Sequence, residues 1–357
     1  MWDIAIIGAG LAGLSCGRQL RAAGYQVCVL DKSRGLGGRM ATRRITGPLR
    51  IDHGLRYWPN AAEDEAIAPL TQELIEAGVI KPWQVSAYEL QNQDALVSID
   101  IAPVYVASDG MSAIAKYLAQ GFIPDETLLN GYRAVKLSPY GQADDRGWRI
   151  ECEDHKIVMA RKCVLAIPAA QAADLVESDR STAERVSEQA IADLKAVEYD
   201  PCLTVLAGYG SHSDMGKLNP DGWMVTDRVG TSTDWIGLDS SKRTNLEAET
   251  TLVIHSKSGF AQKYIDSGDL QPAASVLLRA NARKYGDWIA QPSWFQIHRW
   301  RYAFVSKPYG QSMLELDPAL ICVGDWCVEQ AVANPVTAAY LSGQAMAAAL
   351  QSTQGQN

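Results

Sequence analysis

The stretch WDIAIIGAGLAGLSCGRQLRAAGYQVCVLD, residues 2–31, narrows the possible folds further than any other part of this chain. Asp3 to Ile7 is a short apolar run of the kind found inside a parallel sheet. Gly8, Gly10 and Gly13 come next with the spacing G-x-G-x-x-G. Apolar residues then recur at helical spacing from Leu11 to Ala23, Gly24 ends the helix, and Gln26–Leu30 forms a second strand closed by Asp31. Strand, glycine turn, helix, strand and terminal acid make a βαβ unit, the core of a doubly wound α/β domain that binds a dinucleotide. Each glycine has its own task. Gly8 permits the tight turn, Gly10 lets a pyrophosphate reach the backbone, and Gly13 lets helix and strand pack closely. Leu11 and Ala12 open the helix, whose free N–H groups and partial positive charge favour an anion. Asp31 is placed to accept hydrogen bonds from a ribose diol.

The segment after Asp31 indicates which dinucleotide. From Lys32 to Arg50 there are six basic residues (32, 34, 39, 43, 44 and 50) and no acidic one, in a chain of net charge −8. Such a segment calls for an anion, for which the FAD pyrophosphate is the candidate, and Gly37-Gly38-Arg39 after the βαβ unit resembles the signature of the large flavoprotein group that includes the amine oxidases. The overall balance of 33 Lys+Arg against 41 Asp+Glu argues against nucleic acid or an anionic membrane as partner. Seven scattered cysteines without a Cys-x-x-Cys pair read as reduced thiols, and five dispersed histidines give no metal cluster. Three glycines interrupt the apolar residues 4–16, so neither a signal peptide nor a membrane span is expected, and the chain reads as cytoplasmic.

At 357 residues two domains are expected. The spacing predicts a helix near 61–79, strand character over 81–102, a helix over 111–120 and a β-meander near 132–137, 148–153 and 156–160. A buried run spans 163–171 and a surface helix 172–196. Several strands fall between 199 and 256, with helices near 258–266 and 271–286. The chain then returns to α/β with a strand at Leu320–Val323, the pair Gly324-Asp325, and a small-residue helix from about 335 to 350. The predicted division is an FAD-binding domain from 1–60, 103–198 and 297–357. Residues 61–102 and 199–296 form a substrate domain built on an antiparallel sheet with helices on one side.

Residues 297–304, IHRWRYAF, are unusual in an acidic protein. Alternation puts His298, Trp300 and Tyr302 on one strand face and Arg299 and Arg301 on the other. The rings would wall a flat substrate, and the arginines would meet its phosphates or carboxamide. His53, His255 and His298 are candidates for orienting substrate or flavin, with no essential general base expected. Asp325 would hold the ribityl chain of the flavin, and the helix start near Pro335–Val336 would face its N1/O2 edge.

The ordered set IIGAGLAGLSCGRQL, LDKSRGLGGRMATRR, DHG, SDGMSAIAKYL, CVLAIPA, HRWRYA and VGDWC…SGQA resembles the renalase-like branch of the flavin amine oxidase superfamily. The resemblance covers nearly the whole chain. It implies non-covalent FAD in a two-domain fold like that of p-hydroxybenzoate hydroxylase, and oxidation of 2- and 6-dihydro-NAD(P) to NAD(P)+. The electrons would pass to O2, giving hydrogen peroxide. Carried over by position, Gly8, Gly10, Leu11, Ala12, Asp31, Lys32, Arg39, Gly54, Val135, Gly324 and Asp325 should line the FAD, with Gly13, Gly38, Leu55 and Val336 beside them. His53, Arg56, Tyr57, His298, Arg299, Trp300, Arg301 and Tyr302 form the expected substrate pocket. One departure stands out: Leu55-Arg56-Tyr57 succeeds Asp-x-Gly where the family usually has Ala-Gln-Tyr. Cys322 and Cys327 flank Gly-Asp in the wrong context for a covalent flavin tether. An NAD(P)H oxidase, an amine oxidase and a non-catalytic FAD protein stay open as alternatives, as does the oligomeric state.

Overall fold

The computed structural model describes residues 1–60, 64–92, 95–141, 146–210, 218–243, 249–329 and 334–354. The expected βαβ unit forms, from β1 (Trp2–Ile7), α1 (Leu11–Ala22) and β2 (Val27–Asp31). These strands lie at the middle of an eight-stranded sheet, parallel to each other. β2 pairs in parallel with Leu128–Asn130, and β1 with the strand Ile157–Leu165. The first half of Ile157–Leu165 also pairs with the meander strand Gly147–Cys152, and its second half runs parallel to Leu320–Cys322. The chain's last segment thereby comes back beside its first strand.

The second sheet has seven strands in the order Trp294–Lys307, Glu198–Gly208, Thr251–Ser256, Thr233–Leu238, Trp223–Asp227, Ser86–Gln91 and Ala95–Ile99. Every neighbouring pair is antiparallel except Trp223–Asp227 with Ser86–Gln91. Period-two alternation gives this sheet two different faces. Leu203, Val205, Ile254 and Ile236 pack under the helix Gln271–Tyr285, through Ala274, Leu277 and Leu278. Leu206, Val253, Met224 and Trp235 instead join the core that holds Ile4, Leu14 and Met40. The candidate site lies on this second face, between the sheets.

Two expectations are corrected. The single surface helix over 172–196 is three helices, Ala169–Val176, Arg180–Ala183 and Glu188–Ala196. The breaks fall at capping side chains: Asp179 accepts from the Ser181 N–H and Ser187 from the Ala190 N–H, satisfying donors that a continuous helix would use internally. The buried run expected over 163–171 is divided: its first residues end the strand Ile157–Leu165, and its last open the helix Ala169–Val176. The first helix after the βαβ segment spans Ala68–Glu76, and residues 61–63 of the predicted helix lie outside the described residues. Among the described residues no helix is long and apolar enough to cross a membrane.

Candidate functional site

The first wall of the site comes from the glycine turn. Gly8 has φ +114°, and a Cβ there would lie 2.3 Å from the Ala166 carbonyl oxygen. A Cβ on Gly13 would lie 2.1 Å from the Gly8 carbonyl oxygen, so only glycine lets α1 sit this close to β1. Gly10 differs, since a Cβ there would meet nothing within 4 Å. It caps α1, and no side chain bonds the helix start. Open space in front of an uncapped helix N-terminus fits a pyrophosphate. Asp31 accepts the Ala9 N–H at 2.8 Å and the Ser33 N–H at 2.7 Å, which orients its carboxylate at the turn. From behind, the C-terminal helix Pro335–Gln354 presses on α1 through Gly343, where a Cβ would lie 2.3 Å from the Ala12 carbonyl oxygen.

Arg39 and Gly54 form the next wall. The Arg39 guanidinium makes a two-pronged pair with the buried Asp325, at 2.6 and 2.5 Å, and Nη1 also reaches the Ala303 carbonyl at 3.4 Å. Burial works against its charge, but Asp325 outweighs burial and holds the arginine protonated. A Cβ on Gly54 would lie 2.0 Å from the Arg39 carbonyl oxygen, which accepts the Leu55 N–H at 2.8 Å. Gly324 donates to Ser342 Oγ at 2.9 Å. The Gly38, Gly54, Gly324 and Asp325 segments therefore meet around Arg39. Val336 donates its N–H to Asn334 Oδ1 at 2.9 Å, as Thr337 does at 3.1 Å, so a side chain caps this helix start.

Opposite these walls stands a row that only strand register assembles. Trp235 pairs with His255, His255 with Thr204, and Thr204 with His298, across four neighbouring strands. Directly paired residues share a face, so all four side chains point toward the first domain. His53 meets them there, its ring 4.7 Å from His298 and 5.1 Å from Trp300, while Trp300 Nε1 donates to the His53 carbonyl at 2.9 Å. Five buried polar atoms in this group lack a hydrogen-bond partner among the described residues: Trp235 Nε1, His255 Nε2, Thr204 Oγ1, His298 Nε2 and His53 Nδ1. Arg56 closes one end. Its Nε donates to His255 Nδ1 at 3.0 Å, Nη2 pairs with Asp234 at 2.5 Å, and its guanidinium lies 5.2 Å from the Trp235 ring centre.

Burial pushes all three histidines down. His53 falls to about 4, with Arg43 adding to burial. His298 also falls to about 4, with His53 and Arg43 adding. His255 lies well below its ordinary value, through burial and then Arg56 and Lys242. At neutral pH the row is uncharged imidazole, indole and hydroxyl, with one guanidinium at its end.

Below His53 lies a buried ionic cluster. Asp52 accepts from Thr42 Oγ1 at 2.7 Å, the Met111 N–H at 2.8 Å and Arg243 Nη2 at 3.0 Å, with Lys242 Nζ at 3.6 Å. Asp239 takes Lys242 at 2.9 Å and Arg243 at 2.5 Å. Two carboxylates and two cations thus tie the strand Arg50–Asp52 to the segment Asp239–Lys242 at the end of Thr233–Leu238.

The structure separates some of the expected pocket residues. Arg299 reaches the Ser267 carbonyl, and Arg301 pairs with Asp266, on the sheet face away from His53. Alternation, not chemistry, sends them there. Beyond Trp300 the pairing with Glu198–Gly208 is irregular, and Tyr302 lies edge-on to Tyr199. Tyr57 stands 6.4 Å from Trp83, Val135 is exposed on the outer meander strand, and Lys32 is exposed beside Asp31. Thr204, Trp235 and Lys242 carry no role in the sequence reading, and Asp52 enters it only within the motif DHG. For Thr204 the signal is a polar residue at an inward position of an apolar strand, while Lys242 lies in the turn Asp239–Lys242, and both gain meaning only once partners are known.

Residues 6–74 match the NAD(P)-binding Rossmann-like domain, and residues 79–353 match the family described as flavin containing amine oxidoreductase. The chain is similar to L-amino-acid oxidase of Crotalus adamanteus, 32% identical over 124 residues, which are 32% of this chain and 23% of that one. It is also similar to L-amino-acid oxidase of Echis ocellatus, 42% identical over 57 residues, 14% of this chain and 11% of that one. These matches span less than a quarter of the curated relatives' length. Among solved structures, putrescine oxidase bound to putrescine superposes with a TM-score of 0.72 at 13% identity, covering 98% of both chains. Cyclohexylamine oxidase from Brevibacterium oxydans gives 0.72 at 14% identity, covering 99% of both. At such identities the likeness concerns the fold alone.

Proposed function

Because this chain belongs to the flavin containing amine oxidoreductase family, we propose that it is an FAD-dependent oxidase of the renalase-like kind, whose donor is a 2- or 6-dihydro-NAD(P). The single observation that carries the donor reading is the uncharged row Trp235–His255–Thr204–His298, with its unpartnered polar atoms and a guanidinium at one end. A protonated amine would meet no carboxylate in that row and would be repelled by Arg56. A planar ring bearing a carboxamide would find both an aromatic wall and hydrogen-bond partners.

FAD, held without a covalent bond, would supply hydride acceptance and then pass the electron pair, with one proton from solvent, to O2 as hydrogen peroxide. The protein's share is binding and orientation. The turn at Gly8–Gly13 with Leu11 and Ala12 would hold the pyrophosphate, and Asp31 with Lys32 the adenosine side, near Val135. Arg39 uses three of its five N–H donors in the bonds to Asp325 and Ala303, which leaves donors for a phosphate oxygen. Gly54, Leu55, Gly324, Asp325 and Val336 would border the flavin ring and its ribityl chain. His53, His298 and Trp300 would orient the substrate, and a dihydropyridine, which gains aromaticity on losing hydride, needs no general base from them.

An L-amino acid is the second reading, favoured by the matched oxidases and by Arg56, which could receive a carboxylate. Anaerobic mixing of the flavin-loaded protein with 6-dihydro-NAD, NADH, an L-amino acid and an aryl amine separates these. Rapid bleaching of the flavin band by the dihydro-NAD isomer alone is expected. Bleaching by the amino acid or the amine instead overturns the donor assignment, and failure to take up FAD overturns the whole reading.

A further inference from the structure

Arg56 does more than add charge to the site. A guanidinium does not give up its proton in a protein, so Arg56 Nε is always the donor in its 3.0 Å bond to His255 Nδ1. His255 Nδ1 is then the acceptor, and the single proton of the neutral ring resides on Nε2. That Nε2–H is buried, in a residue only 3% exposed, and has no partner among the described residues. Next to it in the row, Trp235 is 1% exposed, and its indole nitrogen, which can only donate, is likewise unpartnered. The two rings lie 5.5 Å apart. Asp234 holds Arg56 from its outer side, and the guanidinium rests over the Trp235 ring, so the donor that fixes the tautomer is itself clamped.

We propose that Trp235 and His255 form a subsite for a carbonyl-type oxygen, that of a carboxamide or carboxylate on a planar ring, and that Arg56 is the positioning residue that creates it by fixing the His255 tautomer. Two fixed donors on one wall select an acceptor and reject another donor. A ligand presenting an ammonium there leaves both N–H groups unsatisfied, which is how a polar pocket discriminates most strongly. Resting on the proposed function, this assigns the carboxamide end of a dihydropyridine to the Arg56 end of the row and points its reactive carbons toward His298 and His53. Thr204 is fully buried, in register between the two histidines.

The test has two readouts. Nitrogen-15 NMR of the histidine rings, recorded on the protein without flavin and assigned through His255→Gln, reports the tautomer directly. His255 is expected as Nε2–H only, and in Arg56→Met as a mixture. A wild-type His255 protonated on Nδ1, or a tautomer unchanged in Arg56→Met, overturns the proposal. In the second readout the FAD-loaded protein is titrated with benzamide and with benzylamine, following the flavin band. Benzamide is expected to bind more tightly, with affinity falling about tenfold or more in Arg56→Met. Tighter binding of benzylamine, or no loss in the variant, overturns it. If Arg56→Met does not fold, Asp234→Asn at the exposed end of the pair loosens the same clamp and shifts both readouts the same way. A protein that takes up no FAD sinks the proposed function, while the flavin-free tautomer measurement still decides this inference.

Discussion

Replacing Asp52 with Asn tests the buried ionic cluster that carries His53. The Asp52 side chain is fully buried and faces Arg243 at 3.0 Å and Lys242 at 3.6 Å, while its other oxygen takes the Thr42 hydroxyl and the Met111 N–H. An asparagine oxygen keeps the last two bonds. Its amide then aims two N–H donors at two cations that retain only Asp239 between them. Breaking a buried ion pair from one side costs about 3–5 kcal/mol, because the charge left behind stays desolvated. At about 2–4 °C per kcal/mol for large domains, the melting temperature should drop by at least about 6 °C. Thermal melts by circular dichroism, with urea titrations beside them, measure both. Adding Lys242→Met to Asp52→Asn restores the charge balance and should recover part of the loss, since the two sites are directly coupled.

The pH dependence is also fixed. Burial opposes the Asp52 charge, but Arg243, Lys242 and the Met111 N–H outweigh it and hold its carboxyl below the ordinary 3.8. Its stabilisation is present above that value and is lost as pH falls through the lower folded pKa. The gap between wild type and Asp52→Asn should be constant at neutral pH and close only in strong acid. A loss under about 1 kcal/mol at pH 7 would refute the claim that this cluster ties Arg50–Asp52 to Asp239–Lys242.

His53 and His298 act on the same acid side of the curve but at higher pH: folded near 4 against an ordinary 6.5, they stay neutral in the fold, so stability is full above pH 6.5 and falls as pH drops toward 4. Glutamine at both positions should flatten the melting profile in that window, and an unchanged slope would show that neither ring is neutral in the fold. Gly343→Val forces side-chain atoms against the Ala12 carbonyl and should cost about 1–3 kcal/mol and weaken FAD retention, measured by flavin release on heating. Arg301→Ala removes a surface pair with Asp266 and a long bond to the Ile265 carbonyl at 3.4 Å, and should cost less than about 1 kcal/mol without changing flavin reduction by any donor. A large kinetic effect there would return the arginine to the substrate pocket.

The contrast between Gly10 and Thr204 shows where sequence reading succeeds and where it stops. The sequence by itself determined the βαβ unit, because every element of it is local: the glycines, the helix between them and the acid at the strand end lie within 31 residues. It also determined the return of Gly324-Asp325 to that unit, since a strand of buried apolar residues after an interrupting sheet has few places to pair. The approach of Arg39 to Asp325 comes from these two local patterns. The octapeptide marks the limit. Its alternation was legible and separated the arginines from the rings, yet which face looks inward depends on the strand beside it. Tertiary structure alone decided that Arg299 and Arg301 reach residues 266 and 267, and that Trp235, His255, Thr204 and His298 align across four strands. No spacing in one chain encodes that alignment, because register between distant strands is chosen by burial of whole faces and is paid back only when the sheet closes. The same holds for Arg56, which becomes the setter of a histidine's proton only when residues 199 positions apart are brought to 3.0 Å.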